Sequence, residues 1–386
     1  MSYSGYYRGR GGGPRGPPRG GGPRQPGGYG PPPLPPDMIY KSFDPLESKH
    51  LFQRVAPEKD DTELSQAIIA KNLELTPPPE ELAKLQEQVT KLTSIVDTLV
   101  VSPAPEVDIE EMRVVGSFKK GTILAGHKTA DIVLIIKHLP TLEDITNIQN
   151  LMKEKMNAQQ PEKSERKRPL SHMSLVSYTF NGSTLNVFVT TLPNNTKETI
   201  DPEKHLKLEN LKNSLAAIRH ARWFEENAYQ SSIRILVRIL KDFKKRIPFF
   251  MNVNPWTIDL LAHHSAVSNT NGNTLSVPQV FRRCLQLLAA GILLPGSASI
   301  SDPCEPGFVK AHSFMSYEHQ DELACGAQTL LRALSHGGYK EILAMKGARK
   351  ITFENAVMFD GIIVTPSKLA YEKPTEPAEA METNGS

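Results

Sequence analysis

The sequence has few cysteines, no long apolar segment and little net charge. Cys284, Cys304 and Cys325 are its only cysteines, and they lie far apart with no C-x-x-C pair. This spacing predicts a reducing compartment and argues against a disulfide framework or a zinc site. No run approaches the roughly eighteen apolar residues of a membrane span, and the N-terminus is too polar for a secretory signal. Because the net charge is only +3, any affinity for nucleic acid has to come from local patches.

Residues 1–36 are a low-complexity segment of Gly, Pro and Arg with interspersed Tyr. They contain no apolar face that could offset the entropy of ordering the backbone, so we predict a disordered tail. Arginines beside glycines and tyrosines can contact RNA through phosphate pairing and stacking on bases. The predicted RNA-contacting residues are Arg8, Arg10, Arg15, Arg19 and Arg24. A tail that only increases solubility is the alternative.

The stretch from Val114 to Ile136 has the most informative pattern. It contains the end of one strand, the Gly116-Ser117 turn, a basic loop and a second, strongly apolar strand. The unbroken apolar run 132–136 predicts a strand that is covered on both faces. A Gly-Ser turn exposes backbone N–H groups that can hold phosphate oxygens, and Asp131 begins the second strand nearby.

Two other interpretations apply to this stretch. Gly116 and Gly121 have the spacing of a P-loop, but Thr122 stands where that motif requires lysine, so a P-loop is rejected. A plain tight turn, with Asp131 facing solvent, remains open on this stretch alone.

The remaining pattern predicts an α+β fold with two lobes. Residues 37–205 form a mixed α/β lobe of about four strands with helices on one side, including a hairpin turn at Asn181-Gly182. The charged run 162–168 is read as a loop, with a nuclear-import signal as the alternative. Residues 206–367 form a helical lobe, and residues 368–386 a disordered polar tail. The predicted elements are helices at 62–75, 80–101, 142–158, 211–227, 231–246, 255–267, 276–293 and 315–334, and strands at 107–115, 131–137, 172–180 and 183–190.

The Gly-Ser turn and Asp131 resemble the signature of the nucleotidyltransferase superfold. Active members carry Asp-x-Asp after the spacer, because residues i and i+2 share a strand face and can hold two metal ions. Set beside the oligoadenylate-synthetase pattern, Thr129 occupies the first carboxylate position and Asp131 the second. The third position matches Asn186. Only one carboxylate of three is retained, so we expect no two-metal catalysis.

The same resemblance implies a retained nucleotide site. In the oligoadenylate-synthetase pattern, a lysine of the helical lobe binds the triphosphate and an aromatic on the next helix contacts the nucleotide. These positions match Lys241 and Trp256. The implied nucleotide-binding set is Gly116, Ser117, Lys241 and Trp256, with one Mg²⁺ at Asp131. No cofactor is required, and ATP or UTP with Mg²⁺ is the ligand this set would accept. A solvated basic helix face is the alternative for Lys241.

Longer strings resemble the DZF-domain family: AAIRHARWFEENA at 216–228, the GSFKKGT turn, SDPCEPG at 301–307 and SHGGYK at 335–340. This resemblance spans roughly residues 37–371. It implies an inactive nucleotidyltransferase-fold protein whose helical lobe forms a heterodimer with a larger DZF protein bearing double-stranded-RNA-binding domains. It also implies RNA binding, DNA contact through the complex, and roles in transcription, RNA processing and translation. The implied location is the nucleus, with cytoplasm and nucleolus as further sites, and no membrane is involved.

Three functions of different classes follow from these patterns. The first is an obligate partner subunit without catalysis. The second is a regulatory protein that binds nucleotide without turning it over. The third is a residually active, template-independent nucleotidyltransferase that borrows a carboxylate from elsewhere.

Overall fold

The computed structural model describes residues 43–46, 48, 51, 60–105, 107–159, 165–166, 175–180, 182–197, 200–267 and 275–368. The predicted tails, with the five arginines proposed to contact RNA, lie outside these residues except for Lys368.

One lobe is built on a five-stranded mixed sheet. Strands β2 and β5 run parallel at its centre, and the other neighbouring pairs are antiparallel. The predicted hairpin is confirmed, with Gly182 at φ +73° between β4 and β5. The loop predicted at 162–168 is wrong in part, because residues 165–166 pair with β4 as a short edge strand. In the order β1-β2-β5-β4-β3, the strands are β1 Ile109–Val115, β2 Thr129–Ile136, β5 Ser183–Thr191, β4 Leu175–Phe180 and β3 Glu165–Arg166.

Strand β2 is buried on both faces, as its apolar run predicted. Ile132, Leu134 and Ile136 belong to a core shared with α2 (Pro79–Val101) and α4 (Leu142–Gln159). The alternate residues Val133 and Ile135 pack against Ala221 of α5 (Leu208–Asn227). The expectation of helices on one side of the sheet is therefore wrong, because α5 covers the second face.

The other lobe is helical and has its own core. Helix α1 (Thr62–Leu75), although early in the chain, contributes Leu64, Ala67 and Ile68 to this core. The lobe boundary at residue 206 stays a prediction. The later helices are α6 Ser231–Arg246, α7 Pro255–Ala266, α8 Val277–Ala289, α9 Tyr317–Ser335 and α10 Tyr339–Ile342, and a hairpin that was not predicted follows with β6 Val357–Phe359 and β7 Ile362–Val364.

Helices α6 and α7 direct side chains toward the sheet lobe, and their local sequences explain how. One face of α6 is apolar and buried, with Leu236, Leu240 and Phe243 in the helical core, so Lys241 lies at the edge of that face. Helix α7 begins with Pro255 in the first turn. The side chain of Asn254 accepts hydrogen bonds from two backbone N–H groups there, which fixes the helix start.

Across the described ranges, no helix combines the length and the apolar character that crossing a bilayer would demand.

Candidate nucleotide-binding cleft

The turn after β1 approaches Asp131 so closely that only glycine fits. In the sheet register, Val115 lies opposite Asp131, and the next residue, Gly116, has φ +70°. A Cβ at Gly116 would lie 2.5 Å from Oδ2 of Asp131. The turn continues as one helical turn, α3 (Gly116–Lys119), and this brings Ser117 beside the carboxylate strand.

Asp131 is held by a row of hydrogen bonds that crosses three strands. Asn186 lies opposite Asp131 on parallel strand β5, and its Nδ2 donates to Asp131 Oδ1 at 3.0 Å. Ser177 of β4 donates its hydroxyl to Asn186 Oδ1 at 2.8 Å. The amide of Asn186 is thus used twice, once as donor and once as acceptor. Both groups it contacts are protein side chains.

The structure brings the three predicted metal positions together. Thr129 and Asp131 are two residues apart on β2 and share its face, and Asn186 is next to Asp131. Only one of the three side chains is anionic. Among the described residues, no group of three His, Cys, Asp or Glu side chains gathers at Asp131. The three predicted metal positions therefore supply one carboxylate between them, whereas a two-metal site relies on several.

Lys241 of α6 links the Gly-Ser turn to the helical lobe by hydrogen bonds. Its Nζ donates to Ser117 Oγ at 2.8 Å, to Thr122 Oγ1 at 2.9 Å and to the Thr122 carbonyl at 3.2 Å. Burial lowers the pKa of Lys241 to about 8. The positive charges of Lys120 and Arg238 act in the same direction, and the carboxylate of Asp259 opposes them. This lysine is a half-buried cation that hydrogen-bonds to neutral oxygens.

A buried ion pair holds the same segment from a second side. Lys120 Nζ lies 2.7 Å from Asp259 Oδ2, and both side chains are almost fully buried. Asp259 Oδ1 is buried without a hydrogen-bond partner in the described part of the chain. Arg238 of α6 donates to the Gly121 carbonyl at 2.7 Å. The segment 116–122 is therefore fixed by cations and one acid at the joint between the lobes.

Trp256 lies deeper than a nucleotide contact requires. It is 7% exposed, and it stacks on His220 with ring centroids 3.9 Å apart. Its Nε1 donates to Asp302 Oδ2 at 2.9 Å, and Lys120 Nζ lies 4.9 Å from its ring centroid. A base could stack on this ring only after a neighbouring side chain moves. The contact between Trp256 and a nucleotide stays a prediction.

Sequence reasoning identified the turn, Asp131, Asn186 and Lys241 but missed Lys120 and Asp259. These two residues are 139 positions apart, and a single lysine in a basic loop carries no sign that its partner is a buried aspartate. The strings at 216–228 and 301–307 carry the resemblance to the DZF family and predict no site residue by themselves. In the structure they supply His220 and Asp302, which both contact Trp256.

Two family models match most of the chain. The DZF N-terminal domain matches residues 34–229, and the DZF C-terminal domain matches residues 232–365. The boundary between them falls between α5 and α6.

Solved structures with nucleotidyltransferase-like folds are similar in architecture. CdnC of E. coli MS115-1 in complex with HORMA-deltaN has a TM-score of 0.54 at 13% identity, covering 75% of this chain and 100% of that one. CdnC with ATP has a TM-score of 0.52 at 13% identity, covering 72% and 96%. Cid1 in complex with the UTP analog UMPNPP has a TM-score of 0.50 at 11% identity, covering 74% and 99%. The predicted two-lobed nucleotidyltransferase-like fold is confirmed.

The close approach at Gly116 gives a test with a matched control. Gly116 and Gly126 both have positive φ, but a Cβ at Gly126 would have no heavy atom of the described residues within 4 Å. Gly126→Ala should cost about 1 kcal/mol from backbone strain alone. Gly116→Ala should cost about 1–3 kcal/mol more, because the methyl group displaces Asp131. Urea unfolding of both variants measures the difference, and equal losses would show that the contact with Asp131 is unimportant.

Proposed function

Because this chain belongs to the DZF-domain family, we propose that it is a catalytically inactive nucleotidyltransferase-fold subunit. It forms a heterodimer through its DZF domain with a larger DZF protein that carries double-stranded-RNA-binding domains. The complex acts in the nucleus, and also in cytoplasm and nucleolus, in transcription regulation, RNA processing and translation. The Gly/Arg-rich first 36 residues add RNA contacts, and DNA is reached through the complex.

The observation that carries the proposed inactivity is that Asp131 is the one carboxylate at the three predicted metal positions. Two-metal phosphoryl transfer needs several carboxylates to offset the repulsion between two cations and to hold them in line with the triphosphate. Here the neighbouring position presents an amide N–H to Asp131 rather than a second negative oxygen. The remaining position, Thr129, is a neutral hydroxyl. One carboxylate supports at most one cation in this cleft.

Restoring the carboxylates tests this proposal. The unmodified chain should incorporate no labelled nucleotide into an RNA primer with Mg²⁺. Asn186→Asp should lower the melting temperature without Mg²⁺, because two carboxylates about 3 Å apart repel each other, at a cost of about 1–2 kcal/mol. Mg²⁺ should recover that loss, and more strongly in the variant that also carries Thr129→Asp. Asn194→Asp, an exposed site on the loop after β5, is the control of equal charge.

Magnesium-dependent incorporation by the unmodified chain, purified free of contaminating polymerase, would contradict inactivity. It would favour instead the residually active nucleotidyltransferase. If Asn186→Asp and Asn194→Asp respond alike to Mg²⁺, the restored position does not hold metal.

The partner assignment is supported by exposed apolar side chains on the helical lobe. Phe308 is 97% exposed and Tyr317 is 75% exposed, in and just after the loop before α9. Ile362 and Ile363 of β7 are 48% and 63% exposed. Large apolar side chains in contact with water favour burial against another protein.

Substitution of these side chains tests the heterodimer. We expect Phe308→Ser with Tyr317→Ser, or Ile362→Ser with Ile363→Ser, to weaken capture of a purified larger DZF protein by about tenfold or more. Val101→Ser is the control, since Val101 is 81% exposed at the end of α2 in the sheet lobe. Undiminished capture by both double variants would contradict an interface at these surfaces. Failure of the unmodified chain to capture the partner would contradict the heterodimer itself.

A second candidate function, regulatory nucleotide binding without turnover, is favoured by the contact between Lys241 and the Gly-Ser turn. The Lys241 ammonium group contacts Ser117, and Gly116 of the same turn approaches Asp131 closely. An ammonium group and the backbone N–H groups of a turn are the chemistry that holds a triphosphate with one Mg²⁺. Of the similar proteins, CdnC has been solved with ATP and Cid1 with a UTP analog. In this chain a triphosphate would replace the Ser117 and Thr122 oxygens as the partner of Lys241.

The lowered pKa of Lys241 predicts how such binding depends on pH. The free pKa is about 8, and phosphate oxygens would raise it, so the protonated lysine is the form that binds tightly. Affinity for ATP or UTP with Mg²⁺ should be constant below pH 8 and should fall as the pH rises above it. Isothermal titration calorimetry at several pH values measures this trend.

Lys241→Met should weaken binding at pH 7 and remove this pH dependence. Lys245→Met, at an exposed position of the same helix, should leave both unchanged. Absence of any binding heat at millimolar nucleotide would refute the second candidate function and leave the partner-subunit proposal standing.

A further inference from the structure

A cluster of metal-ligating side chains lies beside Trp256. His220 comes from α5, and Asp302 and Cys304 come from the loop between α8 and α9. One potential ligand atom from each residue lies within 4.8 Å of those of the other two. Among the described residues, this is the one group of three or more His, Cys, Asp or Glu side chains arranged in this way.

His220 has an unsatisfied nitrogen aimed at this cluster. Its Nε2 is buried and has no hydrogen-bond partner among the residues that the structure describes, and Asp302 Oδ2, at 4.0 Å, is too distant to accept a hydrogen bond. Stacking on Trp256 fixes the plane of the ring. A buried polar atom without a partner is costly, so its presence indicates a missing ligand. The neutral form of an imidazole ring has a nitrogen lone pair that can coordinate a metal.

Asp302 is oriented in advance by two donors. Trp256 Nε1 donates to its Oδ2 at 2.9 Å, and the backbone N–H of Cys304 donates to its Oδ1 at 2.8 Å. Each carboxylate oxygen has a second lone pair, so both remain able to bind a cation. Donors that hold a ligating carboxylate in place are typical of protein metal sites.

The charges around the cluster are balanced for a divalent cation. The nearby cations Lys120 and Arg219 are each paired with a carboxylate, Asp259 and Glu305 respectively. These pairs leave Asp302 as the uncompensated negative charge. A cysteine thiolate with one divalent ion would bring the formal charge of the whole group to zero.

We propose that His220, Asp302 and Cys304 bind a single Zn²⁺ ion, with water in the fourth position. The set supplies one nitrogen, one oxygen and one sulfur, and zinc accepts all three in tetrahedral coordination. Zinc ligands sit about 2.0–2.3 Å from the metal, so the three side chains would have to move inward by small rotations. Cys304 is partly exposed, and this provides an entry path.

Such an ion would connect parts of the chain that are far apart in sequence. It would join α5, which covers the Asp131 face of the sheet, to the loop before α9 and through Asp302 to Trp256 of α7. The wide cysteine spacing predicts no zinc site, because zinc motifs are recognised in a sequence by pairs of nearby cysteines. The structure assembles a site from one cysteine with a histidine and an aspartate from other segments.

Co²⁺ in place of Zn²⁺ is the probe for this site, because the absorption spectrum of bound Co²⁺ depends on the identity and geometry of its ligands. The purified full-length chain, stripped with a chelator, should bind one equivalent of Co²⁺. It should show a thiolate-to-cobalt charge-transfer band and the d–d absorption of tetrahedral Co²⁺, and Zn²⁺ should displace the cobalt. Cys304→Ser should lose the charge-transfer band and at least tenfold in affinity. Cys325→Ser, a partly exposed cysteine outside the cluster, should retain both.

A measurement on the unmodified chain keeps the test independent of how well the variants fold. Zn²⁺ should protect Cys304 from alkylation, read by mass spectrometry, and should leave Cys325 reactive. Zn²⁺ should also raise the melting temperature of the unmodified chain and of Cys325→Ser, with no such rise for His220→Gln. The proposal is overturned if cobalt binds without a thiolate band, if the band survives in Cys304→Ser, or if Zn²⁺ does not protect Cys304.

Discussion

The segment from Gly116 to Thr122 is held between two hydrophobic cores by charged side chains that reach it from the helical lobe. Lys241 binds its oxygens from α6, and Asp259 binds Lys120 from α7. These groups are buried, where breaking an ion pair leaves a charge that neither water nor protein compensates. The shape of the turn is therefore fixed by the protein itself. The placement of β1 and β2 against α6 and α7 depends on this joint.

The amide at Asn186 changes the electrostatics of the cleft as well as its chemistry. Two carboxylates at this distance would repel each other unless a cation or a proton lay between them. With an amide in place of one of them, the repulsion becomes a hydrogen bond, and Ser177 satisfies the remaining amide oxygen. The polar side chains of Asp131, Asn186 and Ser177 are thus hydrogen-bonded to one another without any ion. This suits a protein proposed to act by its surface, because no ion is needed at this point of the sheet to offset repulsion between carboxylates.

The sequence predicted elements well where one periodic pattern ran long enough. The bounds of α6 and the hairpin turn at Gly182 agree with prediction, since amphipathic spacing and a glycine in a left-handed turn act locally. Edge strand β3 and the hairpin of β6 and β7 were missed because two or three residues are too few to show alternation. The packing of α1 on the helical lobe was also missed, because an apolar helix face does not identify the surface that covers it.

In the candidate site as well, residues that belong to local sequence patterns could be predicted, and residues that meet only through tertiary packing could not. The turn, Asp131 and Asn186 follow from strand patterns within one lobe, and the parallel register of β2 and β5 brings the two side chains together. Lys120 with Asp259, and His220 with Asp302 and Cys304, come from segments distant in the chain. Tertiary packing alone brings them together, and no spacing rule anticipates it.

The central position of β2 has a consequence for synthesis on the ribosome. Only β1 precedes it as a hydrogen-bonding neighbour, so one edge of β2 stays open until β5 (Ser183–Thr191) emerges. The face of β2 that carries Val133 and Ile135 stays exposed to solvent for longer, until α5 (Leu208–Asn227) has been synthesised. An apolar strand with an open edge is prone to associate with other chains. The nascent polypeptide therefore passes through a vulnerable interval in which chaperone binding to β2 would protect it from aggregation.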